Sequence, residues 1–184
     1  PSMLPDLAYP DPRNAELGYR VLIPAELSEK LAGLLGAELL APDNYEQQRI
    51  VCGVPRGGSD FAYGDAFPHE TNMDRLHGVS FDKGCYVGQE TVSRLKSVGR
   101  VNKRLHGFLG SLELPSGVPL FLHLPGDPAT MAGTLTSHAR HFDMAQTAAL
   151  GYLKRQFESL PRFEVADKTG CTLGEVERRE FPIL

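Results

Sequence analysis

Residues 83–90 read KGCYVGQE, and they stand close to the point where the sequence changes character. Before them, apolar residues recur at helical spacing, and a stretch rich in glycine and proline runs from Val54 to Val79. After Arg104, short strand-like runs alternate with turns. The order predicts an α+β part over residues 1–100, followed by an all-β part over residues 101–184.

Helical spacing predicts three helices in the first part. Leucines recur on one face of Ala25–Leu35, which we expect to be helical. A second helix is predicted over Asp43–Cys52, with Asp43 or Asn44 as its N-cap, and a third over Gly88–Lys96. A strand is predicted over Leu17–Ile23, while the Val54–Val79 stretch is predicted to be mostly loop.

The second part contains six short runs of strand character separated by turn residues. The runs are Arg104–Ser111, Pro119–Leu124, Met131–Ser137, Ala148–Arg155, Phe163–Val165 and Cys171–Arg178. Short strands at this spacing predict a small antiparallel β-barrel or a sandwich.

Composition excludes several classes of protein. The chain has 184 residues, 41% of them hydrophobic, and a net charge of −4. No apolar run approaches the ~20 residues of a membrane span, and the charge balance gives no bulk attraction to nucleic acid. Residues 1–12 have neither the basic start nor the apolar centre of a signal peptide. The chain has three cysteines and no CxxC pair, which favours a reducing compartment and no stable metal site.

Cys85 is the cysteine with the most suggestive surroundings. It lies between Gly84 and Gly88, just before a predicted helix, and Lys83 precedes it by two residues. A helix N-terminus and a nearby cation both favour the thiolate, which predicts a reactive thiol. The alternative is a structural cysteine buried in a tight loop. We expect Cys52 and Cys171 to be structural, Cys52 in a helix and Cys171 in a strand.

The octet strongly resembles the signature of the YgfZ/Iba-type folate-binding proteins, relatives of the T-protein of the glycine cleavage system. Flanking segments extend the resemblance over nearly all of residues 11–155. They are Asp11-Pro12-Arg13, Leu17-Gly18-Tyr19-Arg20, Tyr45 with Arg49-Ile50, Gly53-Val54-Pro55, Asp65, Pro68, Glu70, Asn72-Met73-Asp74, Val79-Ser80-Phe81, Asn102-Lys103-Arg104, Gly133–Ser137 and Ala149–Tyr152.

The resemblance implies a partial T-protein-like folate-binding domain followed by a C-terminal β-barrel, and a role in iron–sulfur cluster assembly or repair. Cys85 would be the redox-active or ligand-exchanging thiolate, and Lys83 would lower its pKa. Tetrahydrofolate would be the cofactor, with contacts from Glu70, Tyr86, Gly84, Gly88, Gln89, Glu90 and Arg49. Two alternatives stay open: Arg49 as an ion-pair partner within the domain, and Glu70 as a solvated loop acid.

The sequence departs from the family pattern in two ways. Where the T-protein has a carboxylate that helps to hold the pterin ring, this chain has Val51, which accepts no hydrogen bond. This weighs against the alternative of a folate-dependent aminomethyltransferase. Members of the family also carry a substantial N-terminal segment before the position of Asp11. We therefore expect a fragment, whose first 100 residues expose an apolar face or cleft.

Five basic residues stand close together between the two parts: Arg94, Lys96, Arg100, Lys103 and Arg104. They could receive an acidic partner, a polyglutamate tail or RNA phosphate, the last pointing to a factor linked to tRNA modification. They could equally form a solvated hinge, because no aromatic residues interleave for base stacking. The expected partners are folate and iron–sulfur enzymes or assembly proteins, in the cytoplasm or, in a eukaryote, the mitochondrial matrix.

Overall fold

A computed structural model describes residues 8–98, 101–141 and 145–183 of the chain. The helices are α1 (Ser28–Leu35), α2 (Pro42–Val51) and α3 (Gln89–Val98). The strands are β1 (Ala8–Pro10), β2 (Tyr19–Val21), β3 (Lys103–Gly110), β4 (Leu120–Leu124), β5 (Asp127–Arg140), β6 (Thr147–Lys154), β7 (Arg162–Asp167) and β8 (Thr172–Arg179). Short 3-10 turns occupy Ala15–Leu17, Ala25–Leu27 and Arg155–Phe157.

Strands β3 to β8 close into a six-stranded antiparallel barrel in the order β3-β6-β5-β4-β7-β8. Each of the six predicted runs contributes one strand, so the prediction of a small antiparallel barrel is confirmed. Strand β5 is longer than predicted, because the turn before it comes earlier, at Pro125-Gly126. The boundary predicted near residue 100 lies beside Gly99 and Arg100, which are outside the described residues.

Strand β6 is buried on both faces, and this explains how the two parts of the chain share a core. Its residues are buried from Thr147 to Leu153. Ala149 and Leu153 point into the barrel, whereas Leu150 and Tyr152 point outward against Ile50 of α2, as alternation along a strand requires. The barrel core comprises Phe108, Leu120, Leu122, Ala132, Leu135, Ala149, Leu153, Phe163, Val165 and Val176.

A buried ion pair fixes α2 on the barrel. The Arg49 guanidinium lies 2.9 Å from the Asp60 carboxylate, and their side chains are 3% and 0% exposed. Arg49 also donates to the Val54 carbonyl oxygen at 3.1 Å and to Ser137 Oγ of β5 at 3.0 Å. The second Asp60 oxygen accepts from Thr136 Oγ1 at 2.6 Å. One pair therefore joins the helix, the loop that follows it and the barrel.

The C-terminal residues close the same interface. Ile183 is fully buried against α2 and β3, and its backbone N–H donates to the Val51 carbonyl oxygen at 2.8 Å. Gly53 ends the helix at φ +73°, and a Cβ there would collide with the Phe181 ring. The predicted N-cap of α2 was wrong: Ala41 occupies that position with no side-chain bond, because Pro42 begins the helix without needing a donor.

Strands β1 and β2 form a short hairpin whose loop holds Asp11. The Asp11 carboxylate accepts from the Arg13 guanidinium at 2.7 Å and from Arg20 at 2.8 Å, and its side chain is only 2% exposed. Arg13 in turn donates to Tyr45 Oη of α2 at 2.8 Å. These hydrogen bonds hold the pKa of Asp11 well below its usual range and attach the hairpin to α2.

Apolar side chains are unusually exposed in the first part of the chain. None of the residues of α1 is buried, and Leu34 and Leu35 are 76% and 68% exposed. Other exposed apolar side chains are Tyr19, Leu22, Leu27, Leu39, Leu40, Tyr45, Tyr63, Phe67 and Val87. The distribution agrees with the expectation of an unpacked apolar surface in the first 100 residues.

Replacing Asp60 by alanine should lower the free energy of unfolding by about 3–5 kcal/mol, because the Arg49 charge would stay buried without its partner. Urea denaturation measures the loss. The matched control is Glu113→Ala, which breaks the exposed pair with Arg140 and should cost less than about 1 kcal/mol. A loss as small as the control's would mean that the buried pair does not hold the interface.

Replacing Asp11 by asparagine should lower stability at pH 7 and cost progressively less below about pH 4. The folded pKa of Asp11 lies below the unfolded value, so its contribution is complete above the unfolded pKa and is lost as the pH falls toward the folded one. Urea midpoints of the variant and of the unmodified chain, at pH 7 and at pH 3, measure how their difference in stability shrinks. Asp82→Asn, at an exposed loop position, is the control. A loss of stability in Asp11→Asn that is the same at both pH values would contradict the lowered pKa of Asp11.

Candidate functional site

The KGCYVGQE segment forms an irregular loop that leads into α3. The Gln89 backbone N–H donates to the Tyr86 carbonyl oxygen at 3.2 Å, and the Val92 N–H donates to that of Gly88 at 3.2 Å. Gly88 has φ +87°, a conformation that suits glycine, so the loop can turn sharply into the helix. Val87 is fully exposed at the tip. The loop therefore projects from the helix start and is not packed into a core.

The loop forms one wall of an apolar cavity of about 460 Å³. The opposite wall comes from residues 67–80, within the long loop that the sequence predicted. The lining residues are Phe67, Pro68, Met73, Gly78, Val79, Ser80, Lys83, Tyr86, Val87, Gly88, Thr91 and Val92. A cavity of this size with mostly apolar walls is typical of a small-molecule site.

Aromatic rings and ammonium groups are paired around this cavity. The Lys83 ammonium lies 4.6 Å from the centroid of the Tyr86 ring, and the Lys96 ammonium lies 3.7 Å from that of Phe81. Phe81 also contacts the His69 ring, at a centroid distance of 6.1 Å. These cation–π contacts fix Lys83 against the loop and tie α3 to the segment that precedes it.

Two buried polar side chains, in the two segments that form the cavity, lack hydrogen-bond partners within the described residues. One is the buried Tyr86 hydroxyl, whose residue lines the cavity. The other is the His69 ring, which is 3% exposed and has no partner for either nitrogen. Buried polar atoms without partners are costly, so they mark places where a ligand could gain hydrogen bonds.

The three cysteines differ sharply in exposure. Cys85 is exposed in the loop, which favours the reactive interpretation over a buried structural thiol. Cys52 is buried at the end of α2, and burial raises the pKa of its thiol, as expected of a core residue. The expectation for Cys171 was wrong: it is exposed and lies in the turn before β8, where its backbone N–H donates to Asp167.

The structure brings together only some of the predicted site residues. Lys83, Tyr86 and Gly88 line the cavity. Gly84, Cys85, Gln89 and Glu90 belong to the same loop and helix start but do not line it. Arg49 lies in the α2–barrel interface, so its contacts are those of the ion-pair alternative, and its role in holding folate stays a prediction. In residues 67–80 the sequence singled out Glu70 as a site residue and missed the side chains that line the cavity, because loop composition carries no sign of which residues face inward.

Glu70 is buried and faces a different depression. Its carboxylate lies 3.4 Å from the Phe67 N–H, and its backbone oxygen accepts from Leu105 of β3 at 2.9 Å. The depression, which we name the seam groove, has a volume of about 790 Å³. It is lined by Glu70, Asn102, Lys103, Lys154, Arg155 and Gln156.

Among the described residues, no group of three or more His, Cys, Asp or Glu side chains is arranged to hold a metal ion. In the same ranges, no helix is long and apolar enough to cross a bilayer.

Curated proteins with similar sequences include iron–sulfur cluster assembly factors. The chain is 40% identical over 119 residues to the iron–sulfur cluster assembly factor IBA57 homolog, mitochondrial, of Mycosarcoma maydis, covering 64% of this chain and 26% of that protein. It is 41% identical over 95 residues to human IBA57 (52% and 26% covered) and 37% identical over 131 residues to mouse IBA57 (67% and 33% covered). The chain thus spans about a quarter to a third of these relatives.

A solved structure shares the fold. The glycine cleavage system aminomethyltransferase T from Bartonella henselae superposes with a TM-score of 0.64 at 18% identity, over 86% of this chain and 43% of that one. The predicted combination of T-protein-like α+β architecture and terminal barrel is therefore confirmed at the level of fold. No protein-family profile matches the chain.

Proposed function

We propose that this chain, whose homologues are IBA57 iron–sulfur cluster assembly factors of the YgfZ family, acts in iron–sulfur cluster assembly or repair through Cys85. The observation that carries the proposal is the position of this thiol. It is exposed in a loop whose neighbouring side chains, Lys83 and Tyr86, line an apolar cavity. Since the curated relatives are named as mitochondrial, we place this action in the mitochondrial matrix.

The KGCYVGQE loop offers one exposed thiol, which supports a transient role. A thiolate is the ligand that iron–sulfur clusters commonly take from proteins, and a cluster usually needs four such positions. Cys85 supplies one, Cys52 is buried, and the other exposed thiol, Cys171, lies outside this loop in the turn before β8. A cluster or iron in passage would therefore be shared with a recipient or with another assembly protein that provides the remaining ligands. An exposed loop suits this sharing, because a partner's ligands can approach the sulfur directly.

The cavity beside the thiol supports binding of tetrahydrofolate. A pterin ring is flat and carries several donors and acceptors along its edge. The apolar walls would cover its faces, while the unpartnered Tyr86 hydroxyl would meet its polar edge. Lys83, held over Tyr86, would lie near any anionic group of the ligand. When bound, a reduced folate supplies one-carbon chemistry, and the protein would position it next to the Cys85 loop.

The surroundings of Val51 weigh against aminomethyl transfer as the activity. Val51 is buried against the barrel in the cluster that contains Leu150 and Ile183. The side chain at this position therefore serves packing and has no polar atom to hold a pterin. This favours the assembly role over the transferase alternative, even though the fold is that of an aminomethyltransferase.

Replacing Cys85 by serine should abolish the maturation of iron–sulfur enzymes in cells that depend on this protein, because serine is a far weaker ligand and nucleophile at neutral pH. The activity of such an enzyme in cell extracts measures maturation. Cys171→Ser removes another exposed thiol and should leave maturation unchanged.

Normal maturation with Cys85→Ser would overturn the assignment of the thiol. If the purified protein instead releases ammonia from an aminomethyl-lipoyl carrier in a folate-dependent reaction, the transferase alternative is correct.

Replacing Tyr86 by phenylalanine should weaken tetrahydrofolate binding by roughly threefold to tenfold, because one hydrogen bond is lost while the ring is kept. Calorimetric titration under anaerobic conditions measures the affinity. Tyr63→Phe, at a residue that is 81% exposed and does not line the cavity, is the matched control and should bind as the unmodified chain does. Absence of binding to the unmodified chain would contradict the cofactor proposal without affecting the one for Cys85.

A further inference from the structure

The seam groove concentrates positive charge where the barrel meets the first part of the chain. Three of its six lining residues are cations: Lys103 at the start of β3, Lys154 at the end of β6 and Arg155 in the turn that follows. One acid, Glu70, faces the same groove. The groove shares no lining residue with the apolar cavity beside the KGCYVGQE loop, so it is a separate site.

Lys103 and Lys154 are directly opposite one another in the register of β3 and β6. Residues paired in this way project from the same face of the sheet, and like charges in such a pair are destabilising. The unfavourable pair is extended by Arg155, whose backbone N–H is bound to the Asn102 carbonyl oxygen at 3.0 Å. An anion held between these cations would relieve the repulsion, which is a reason for the charges to be placed together.

The two lysine ammonium groups already have neutral partners. The Lys103 ammonium lies 5.0 Å from the centroid of the Tyr152 ring, and Lys154 donates to the Met131 carbonyl oxygen at 2.6 Å. The Arg155 guanidinium has no hydrogen bond or ion pair within the described ranges, and its residue is exposed. A guanidinium that is available for two parallel hydrogen bonds is well suited to phosphate or carboxylate.

We propose that the seam groove binds a small polyanion that carries phosphate or carboxylate groups. Its anionic groups would contact Lys103, Lys154 and Arg155, while the Asn102 and Gln156 amides would donate to its remaining oxygens. Glu70, buried beside the cations, leaves the groove with a net positive charge and would accept from a hydroxyl or amine of the same ligand. A volume of about 790 Å³ admits a molecule larger than a single phosphate ion.

The composition of the groove favours a small anion over RNA. Among its six lining residues there is no aromatic side chain, so a nucleic acid base would have no ring on which to stack. The positive charge is also confined to the ends of two strands and one turn, whereas an RNA surface usually follows the backbone over several nucleotides.

The test is calorimetric titration of the full chain with pyrophosphate and with citrate, in parallel, at low salt and at 150 mM salt. The double substitution Lys103→Gln with Arg155→Gln should weaken binding at least about tenfold, because two charge-assisted contacts are lost. Lys168→Gln, in the exposed turn between β7 and β8 and outside the groove lining, is the matched control and should bind as the unmodified chain does. Thermal melts confirm that the variants are folded.

Binding of either probe that depends on the two groove cations supports the proposal, and the preferred probe identifies phosphate or carboxylate as the recognised group. The proposal is overturned if neither probe binds at millimolar concentration, or if the double variant binds as the unmodified chain does. It is also overturned if Lys168→Gln weakens binding equally, which would indicate diffuse attraction. Binding of an RNA oligonucleotide that neither probe displaces would show a nucleic acid surface instead. Because tetrahydrofolate is assigned to the other cavity, each result is independent of the proposed function.

Discussion

Arg49 and Asp60 are removed from water together, and the relation between the two parts of the chain depends on that pair. Removing two charges from water is costly, and the cost is offset only when every donor and acceptor finds a partner. Here the guanidinium is bound by Glu46 of α2, by the following loop and by Ser137 of β5. The Asp60 carboxylate also accepts from Thr136 and from the Arg56 N–H. All of these hydrogen bonds form together in one arrangement of helix, loop and barrel. The apolar contacts of Ile50 with β6 stabilise the interface, and the ion pair fixes the position of α2 on the barrel.

Local patterns were enough to predict the six strands, because strand runs and turn residues are properties of a few consecutive positions. They allowed a barrel or a sandwich, and the family resemblance implied the barrel. They could not predict that β6 is buried on both faces, since the helix that covers its outer side comes from a segment about a hundred positions earlier in the chain. The same limit applies to Arg49. Its type and helical position allowed an ion pair or a ligand contact, and the choice depends on Asp60, which lies in a loop without regular periodicity.

Part of the candidate site could be identified from the octet alone, because a cysteine and several glycines in one short loop form an unusual local pattern. The opposite wall of the cavity could not, since residues 67–80 have the composition of an ordinary loop and become a wall only when the chain folds over α3. Only part of the seam groove could be predicted from the sequence. Lys103 belonged to the basic segment that the sequence singled out, but Lys154 and Arg155 meet it only through the pairing of β3 with β6.

The basic segment between the two parts therefore separates into side chains with different roles. Arg104 is bound to Asp74 at 3.2 Å and to the Asn72 amide oxygen at 3.1 Å, while the Asn72 amide donates to the Leu105 carbonyl oxygen. These bonds anchor residues 67–74 on β3, and that one segment carries Phe67 and Met73 toward the apolar cavity and Glu70 toward the seam groove. The same attachment to the barrel therefore positions one wall of each depression. Arg104 is a structural cation of the group, and the proposed ligand contact falls on Lys103, its neighbour on the opposite face of the strand.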